Sequence, residues 1–523
     1  MVIPADITHK QLQRILASPE FTATKSQREF LNFVVLETLA GNTDKIKGFT
    51  VATRVFGRGD DFDQSIDPIV SIQANKLRRA LERYYLVIGH NDPVYIDIPR
   101  GTYVPVFTQI IPPKFVTETR IGTSKKGVVD ESWPTLLIRP FMNLTSDSTL
   151  NWLGSGFASE LRMEMTSNKD IQVIKDIPGG GNRRAADTIA RFVIDGEILN
   201  DIKGLKIIVT LTDTLSNLQI WSKGLNCDSD PSQLIAFQKK IVQTVAAQIG
   251  CEKGVIANKI LTESTDKAPQ QLKTYEAILR FFEYEQAPTE EGFIQALYAL
   301  EHAKKLEPLC SKVWSMLARL YIIIYSLEIP GFALGDAKNE AVSCAEKGAK
   351  FAPDSQFSRA ILAFVRLLTN ETSAAKEEAQ LAYELHPDSV VLLDTIGYVM
   401  ALSGDWEQGT ELIKKAIRRN PFHADYAHYA LWANWIRQKD YEQAYQETMH
   451  LRSPQNFWEP LVKASTLGNL GRLEEGRKSI EDLLTLKPDF PSRGRILIGR
   501  FVKFKSIAES TVDGLKKCGL ELA

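Results

Sequence analysis

Four cations fall within eight residues of this sequence: Lys76, Arg78, Arg79 and Arg83, opposed there only by Glu82. Gln73 and Asn75 stand beside them and add neutral donors and acceptors. Such a set suits nucleic acid. Arginine can read guanine in the major groove through two hydrogen bonds, while lysine and the hydroxyls of Ser71 and Thr102 more often fix register on phosphate. A further arginine, Arg100, stands in the short run PRGTY. A solvated helix face is the plain alternative for a charge cluster of this kind.

The segments around these residues would have to hold them in place. HKQLQRILAS and SQREFLNFVVLETLA are apolar at helical spacing, and Ser26 is placed to cap the second of them. A short helix, GFTVATRVFG, follows. In SIDPIVSIQANKLRRALERYY, Asp67 is the expected N-cap and Pro68 the first helical residue, a position that tolerates proline. A helix from Ile69 to Tyr85 is a rod of about 25 Å. Val70, Ile72, Ala74, Leu77, Leu81 and Tyr84 are expected to turn inward. Gln73, Lys76, Arg79 and Arg83 are left on a polar face, with Asn75 and Arg78 beside it. DPVYIDIPRGTYVPVF then alternates around a glycine and predicts a β-hairpin.

Helix, helix, helix and hairpin make a winged helix, and residues 46–107 resemble the DNA-binding domain of the OmpR/PhoB type. VSIQANKLRRAL matches the spacing of that family's recognition helix. PRGTY matches its wing with one residue fewer, and RVFG falls where the family has V-W-G. The resemblance implies that Gln73, Asn75, Lys76 and Arg78 face the major groove or its flanking phosphates. It also implies that Arg100 enters the minor groove or holds phosphate. Asp60, Asp61 and Asp63 lie in the acidic loop GRGDDFDQSID, which in the family can touch RNA polymerase. Here a solvated loop is the preferred reading. Residues 1–108 carry 13 basic and 12 acidic side chains, so affinity for DNA must come from the local cluster.

The other half of the chain is periodic. Prolines recur at 308, 353, 387, 421, 454 and 488, at intervals of 45, 34, 34, 33 and 34 residues. Each follows the last turn of a helical pattern, which proline cannot continue. A 34-residue period is that of tetratricopeptide repeats. DTIGYVMALSGDWEQGTELIKKAIRRNP resembles their consensus at Gly397, where two helices would approach closely, at Ala416 and at Pro421. The long first interval holds an insertion around Leu327–Asp336. Tyr426, Tyr429, Trp432, Trp435 and Trp458 are read as packing between hairpins rather than as anchors for a peptide. The stretch from 491 onward lacks the signature and is expected to cap the stack.

Between these halves, residues 109–132 read as a linker, and residues 133–252 as strands and two helices in a small α/β layer domain. PFMNLTSDSTLNWLGSGFASEL and the DGEI…QIWSKGL run are similar to the amino-terminal domain of TolB. Regulators of the ToxR/CadC kind place a membrane helix after the winged helix. Here the most apolar stretch, Leu320–Leu334, is interrupted by Glu328 and Pro330 and falls short of the roughly 20 residues a span needs.

No catalytic constellation is legible. GSGF (Gly154 to Phe157) lacks the rest of a dinucleotide or P-loop pattern, and GGGNRR (Gly179 to Arg184) reads as a flexible loop. The five cysteines are scattered, and His423 and His428 have no ligand at zinc-site spacing. No cofactor or metal is expected, and no enzyme activity.

The sequence therefore predicts a multidomain α and α/β protein of about three or four domains. These are a winged helix over 1–108, a linker over 109–132, a TolB-like domain over 133–252, an α-solenoid of repeats over 269–490, and capping helices over 491–523. The expected function is that of a cytoplasmic bacterial transcriptional regulator. It would bind double-stranded DNA and meet a protein partner on its repeats, with RNA polymerase as one candidate. The alternative is a non-enzymatic scaffold whose winged helix docks protein.

Overall fold

The computed structural model describes residues 4–18, 21–59, 62, 67–87, 89, 92–99, 101–109, 132–167, 170–174, 190–201, 204–228, 234–329, 331–387, 392–419, 426–453 and 455–523. Residues 1–125 form one compact unit and 126–523 another. The expected linker falls almost wholly outside the described residues.

In the first unit the helices are α1 (Ala5–Ala17), α2 (Lys25–Leu39), α3 (Gly48–Phe56) and α4 (Ile69–Val87). Strands β1 (Val94–Asp97) and β2 (Val106–Gln109) follow and pair antiparallel. The core is built from Leu12 and Ile15 of α1, Phe30, Leu31, Val34 and Val35 of α2, and Val51 of α3. Val70, Ala74, Leu77, Leu81 and Tyr84 of α4 complete it. Each fully buried aliphatic side chain of this kind contributes about 1.5–3 kcal/mol relative to exposure.

Three expectations need correction here. Thr24, not Ser26, caps α2. The Gln27 N–H donates to Thr24 Oγ1 (3.3 Å) and the Thr24 N–H to Gln27 Oε1 (2.9 Å), a reciprocal capping box. Ile72 is not in the core but 46% exposed. The inward stripe of α4 runs 70, 74, 77, 81, and two residues on from Val70 a helix has turned about 200°. Helix α4 starts at Ile69, with Pro68 just outside it rather than its first residue, and Asp67 Oδ1 accepts from the Ile69 N–H (3.0 Å).

In the second unit, β3 (Thr135–Ile138), β4 (Met142–Asn143), β5 (Gln172–Ile174), β6 (Phe192–Asp201), β7 (Gly204–Asp213) and β8 (Leu218–Asp228) make a mixed sheet. Its order is β5-β3-β6-β7-β8, with β4 also on β6. The β3 pairings are parallel, and those of β7 are antiparallel. Helices α5 (Asn151–Ser167), α6 (Leu234–Gly250) and α7 (Val255–Ser264) cover one face. All of TLLI in β3 is buried, since Leu136 and Ile138 face those helices while Leu137 packs with Ala190 and Val193 on the other side.

GSGF lies inside α5, and its first glycine has a packing role. A Cβ on Gly154 would stand 2.0 Å from the Phe141 carbonyl oxygen. Gly154→Ala is therefore expected to destabilise this sheet by about 1–3 kcal/mol. Amide exchange in α5 and β3 measures that, and unchanged protection there would refute it.

The sheet's core does not stop at residue 252. Ile256, Ala257 and Ile260 of α7 belong to it, as do Tyr275 and Leu279 of α8 (Thr274–Gln286). After α8 the described residues form helices and their connections, with no strand. The helices are α9 (Glu290–Leu306), α10 (Ser311–Leu327), α11 (Leu334–Phe351), α12 (Gln356–Leu368), α13 (Thr372–Leu385), α14 (Leu393–Leu402) and α15 (Trp406–Arg419). They continue with α16 (Tyr426–Gln438), α17 (Tyr441–Thr448), α18 (Trp458–Leu470), α19 (Leu473–Leu486), α20 (Phe490–Phe501) and α21 (Lys505–Lys517).

From α8 to α19 they pair as successive hairpins, and the first helices of neighbouring hairpins, α8, α10, α12, α14 and α16, touch in a row. Gly397 of α14 faces Gly409 of α15, where a Cβ on Gly397 would stand 2.6 Å from the Gly409 carbonyl oxygen. Tyr426, Tyr429, Trp432 and Trp458 pack between hairpins. Trp432 is buried with Nε1 donating to Thr466 Oγ1 (2.8 Å), Tyr426 packs on Phe364 and Tyr398, and Tyr429 on Trp458. No helix among the described residues is long and apolar enough to cross a membrane.

Candidate nucleic-acid interface

The helix α4 is amphipathic because its buried stripe returns every three or four residues, and this leaves Ile72, Asn75 and Lys76 on the exposed side. Positions 79 and 83 continue that side in the helical register. The side chains of Arg79 and Arg83, and all of Arg100, lie outside the described residues.

Arg78 has a different place. Its Nε donates to the Ile98 carbonyl (2.6 Å), and Nη2 to the carbonyls of Pro99 (3.1 Å) and Thr102 (2.9 Å). Nη1 donates to Asn75 Oδ1 (2.8 Å). The guanidinium thus closes the ends of the β1–β2 connection onto α4, and its planar fork serves several acceptors at once. The resemblance implied a groove-facing Arg78, but the structure turns it to the hairpin, where it is a positioning residue. Gln73 is also engaged internally, accepting from Gln27 Nε2 (2.9 Å), so the cap of α2 is tied to α4. Ser71 Oγ donates to the Pro68 carbonyl, and Thr102 Oγ1 accepts from the Val104 N–H.

The hairpin is stitched to α4 at its other end as well. Tyr85 Oη donates to the Val94 carbonyl and accepts from the Ile96 N–H, while Tyr84 Oη donates to buried Asp92. Asp92 also accepts from Gln11 and Arg14 of α1. Burial is the largest cause raising the Tyr84 hydroxyl well above its ordinary pKa, with the Asp92 carboxylate adding to it. Gly101, at φ +84°, supplies the left-handed turn residue between β1 and β2.

Of the residues singled out from sequence, the structure places Asn75 and Lys76 at the exposed surface of α4 and Ser71 at its first turn. Gln73 and Arg78 serve the fold. Asp60, Asp61 and Asp63 are outside the described residues, as is the GGGNRR loop. The exposed Ile72 was missed, because an apolar residue near an apolar stripe reads as core until its angle on the helix is counted.

Elsewhere, His423 lies outside the described residues. His428 Nδ1 is 2.7 Å from Glu447 Oε2, and its ring stacks on that of His450 at 4.8 Å. The spatial neighbours therefore include a carboxylate that the sequence spacing did not bring out. Among the described residues no group of three or more histidine, cysteine or acidic side chains is arranged to hold a metal ion.

No family model matches the chain, and no curated protein matches it either.

Proposed function

We propose that this chain is a DNA-binding transcriptional regulator. A winged helix of the OmpR/PhoB type reads the major groove through α4, and a TolB-like domain with tetratricopeptide repeats receives a protein partner or signal. The observation that carries the reading is the Arg78 clamp. It joins an exposed helix edge bearing Asn75 and Lys76 to a hairpin as one body, and a helix with a flanking wing is the arrangement that meets a major groove and its border. In this reading Asn75 contacts a base edge. Lys76, Ser71 and Thr102 set register on phosphate, and Arg79, Arg83 and Arg100 supply the remaining charge.

The test is selection of duplexes from a random pool by the full chain, followed by binding at several salt concentrations. Enrichment of a sequence motif is expected. Asn75→Ala is expected to lose about 1–3 kcal/mol of discrimination at one base position. Lys76→Ala should retain the motif and lower the salt slope by about one. No motif, together with binding insensitive to salt, would overturn the reading.

The exposed Ile72 favours a second reading, in which α4 docks protein instead. Binding through apolar area is weakly dependent on salt, whereas phosphate contacts weaken steeply with it.

A further inference from the structure

The last helices do more than cover the end of the hairpin row. Helix α21 packs on α18 and α16, and α20 runs back onto α10 and α12, far earlier in the chain. The segment 490–504, FPSRGRILIGRFVKF, holds Arg493, Arg495, Arg500 and Lys503 and no acidic residue. Arg493 and Arg500 are seven residues apart, two helical turns, and so share one face.

Both meet Glu328. Arg493 donates to its carboxylate through Nε and Nη2, and Arg500 Nη2 lies 2.8 Å from Oε1. Arg500 Nη1 also donates to the Tyr325 carbonyl (2.6 Å), and its guanidinium sits 4.4 Å from the Tyr325 ring centroid. Lys487 Nζ adds a third cation, 3.7 Å from Glu328 Oε2 and 3.3 Å from Asp489. Lys503 Nζ donates to Asn370 Oδ1 (2.6 Å), Phe501 stacks edge-on against Trp458, and Phe504 meets Trp406. The segment therefore touches four different hairpins.

Glu328 is an unusual residue for its place. It ends α10 in the left-handed region, φ +53°, where a glutamate is disfavoured. It belongs to the insertion that breaks the 34-residue period, and its side chain is only 7% exposed. A buried carboxylate held in a strained backbone conformation persists when its surroundings over-determine it, and here the surroundings are cations from the C-terminal segment. Burial alone would raise the Glu328 carboxyl, but the Arg493 hydrogen bond and the charges of Arg500, Arg493 and Lys487 hold it below the usual carboxylate range.

We propose that the face formed by the first helices of the hairpins, centred on Glu328 and Tyr325, is a docking surface for a basic, arginine-bearing amphipathic helix of a partner protein, and that residues 490–504 are its intramolecular occupant. The partner helix carries two arginines seven residues apart and an aromatic residue beside the second, the pattern that Arg493, Arg500 and Phe501 present. Binding requires displacement of the chain's own segment, so affinity is lowered by the fraction of molecules closed at any moment. This deepens the reading of the helical half as a partner surface and is independent of the DNA reading.

The experiment uses the full chain, its Arg493→Ala/Arg500→Ala and Glu328→Gln variants, and a labelled synthetic peptide of residues 488–506. Amide exchange across 490–504, peptide anisotropy and light scattering are measured. In the wild type, 490–504 is protected, and excess peptide raises its exchange without changing α12 or α14. The double arginine variant exchanges faster there and binds peptide at least about tenfold more tightly, a change of 1.4 kcal/mol. Glu328→Gln also opens but takes peptide no better than the wild type, and a peptide with both arginines replaced by alanine binds poorly to all three.

Unchanged exchange in the double variant, peptide binding by Glu328→Gln as tight as that of the double arginine variant, or dimerisation that excludes the peptide would each overturn the proposal. Should a variant unfold, the wild-type titration decides: no rise in exchange at saturating peptide overturns the proposal equally. Loss or retention of a DNA motif leaves every one of these readouts untouched.

Discussion

Arg78→Ala is expected to destabilise the first unit by about 2–3 kcal/mol, since a charged donor serving several acceptors is lost at a half-buried site. The carbonyls of Ile98, Pro99 and Thr102 all lose the guanidinium that ties that end of the hairpin connection to α4. Lysine should not rescue it, because a point-like ammonium cannot span acceptors laid out for a planar fork. Amide exchange in α4 and β1 of the full chain measures the loss. The same variants should lose motif selection on DNA, while Lys76→Ala keeps it. An Arg78→Ala protein with unchanged protection and weaker DNA binding would make Arg78 a contact residue and refute the clamp.

Gly397→Val should destabilise the helical half by about 3 kcal/mol, the upper part of the range for overpacking. The new Cβ would meet the Gly409 carbonyl at 2.6 Å and Ile413 Cγ1 at 2.9 Å, and the first of these is backbone on a facing helix. Gly409 is as closely seated on its own side, since a Cβ there would stand 2.4 Å from the Ala401 backbone nitrogen. Gly335→Ala is the matched control, since a Cβ there meets nothing within 4 Å. It should be neutral or stabilise by up to about 1 kcal/mol through its helix preference. A lowered transition temperature for Gly397→Val and not for Gly335→Ala bears this out, whereas equal shifts in both would show that packing at Gly397 does not govern the array.

Much of the fold was legible because it depends on local periodicity. The inward set Val70, Ala74, Leu77, Leu81 and Tyr84 declares a helix, and the alternation in KIIVTLTDTL declares a strand with one face covered. Prolines at a 34-residue interval and a glycine before a facing helix declare hairpins that stack. The pattern of residue types repeats with the geometry of the element, so each element carries its own signature. Ser26 and Ile72 went wrong where two candidates for one role lie within two or three residues. Only the angle on the helix, or the hydrogen bond actually formed, separates them.

What the sequence by itself determined is the kind of each element and the side of it that must be buried. Only the tertiary structure decided what the polar residues do. Arg78 and Gln73 stand in the same basic run as Lys76, yet the fold turns them toward carbonyls and toward Gln27, while Lys76 is left exposed. Glu328 looked like an interruption in an apolar stretch, and Arg500 like part of an end cap. Their meeting joins residues 172 apart in the chain. Most apolar side chains that line one face of an element go to the core, and their spacing shows it, with Ile72 an exception on α4. A polar side chain can be satisfied by water, backbone or a distant partner, and that choice is made only when the chain has closed around it.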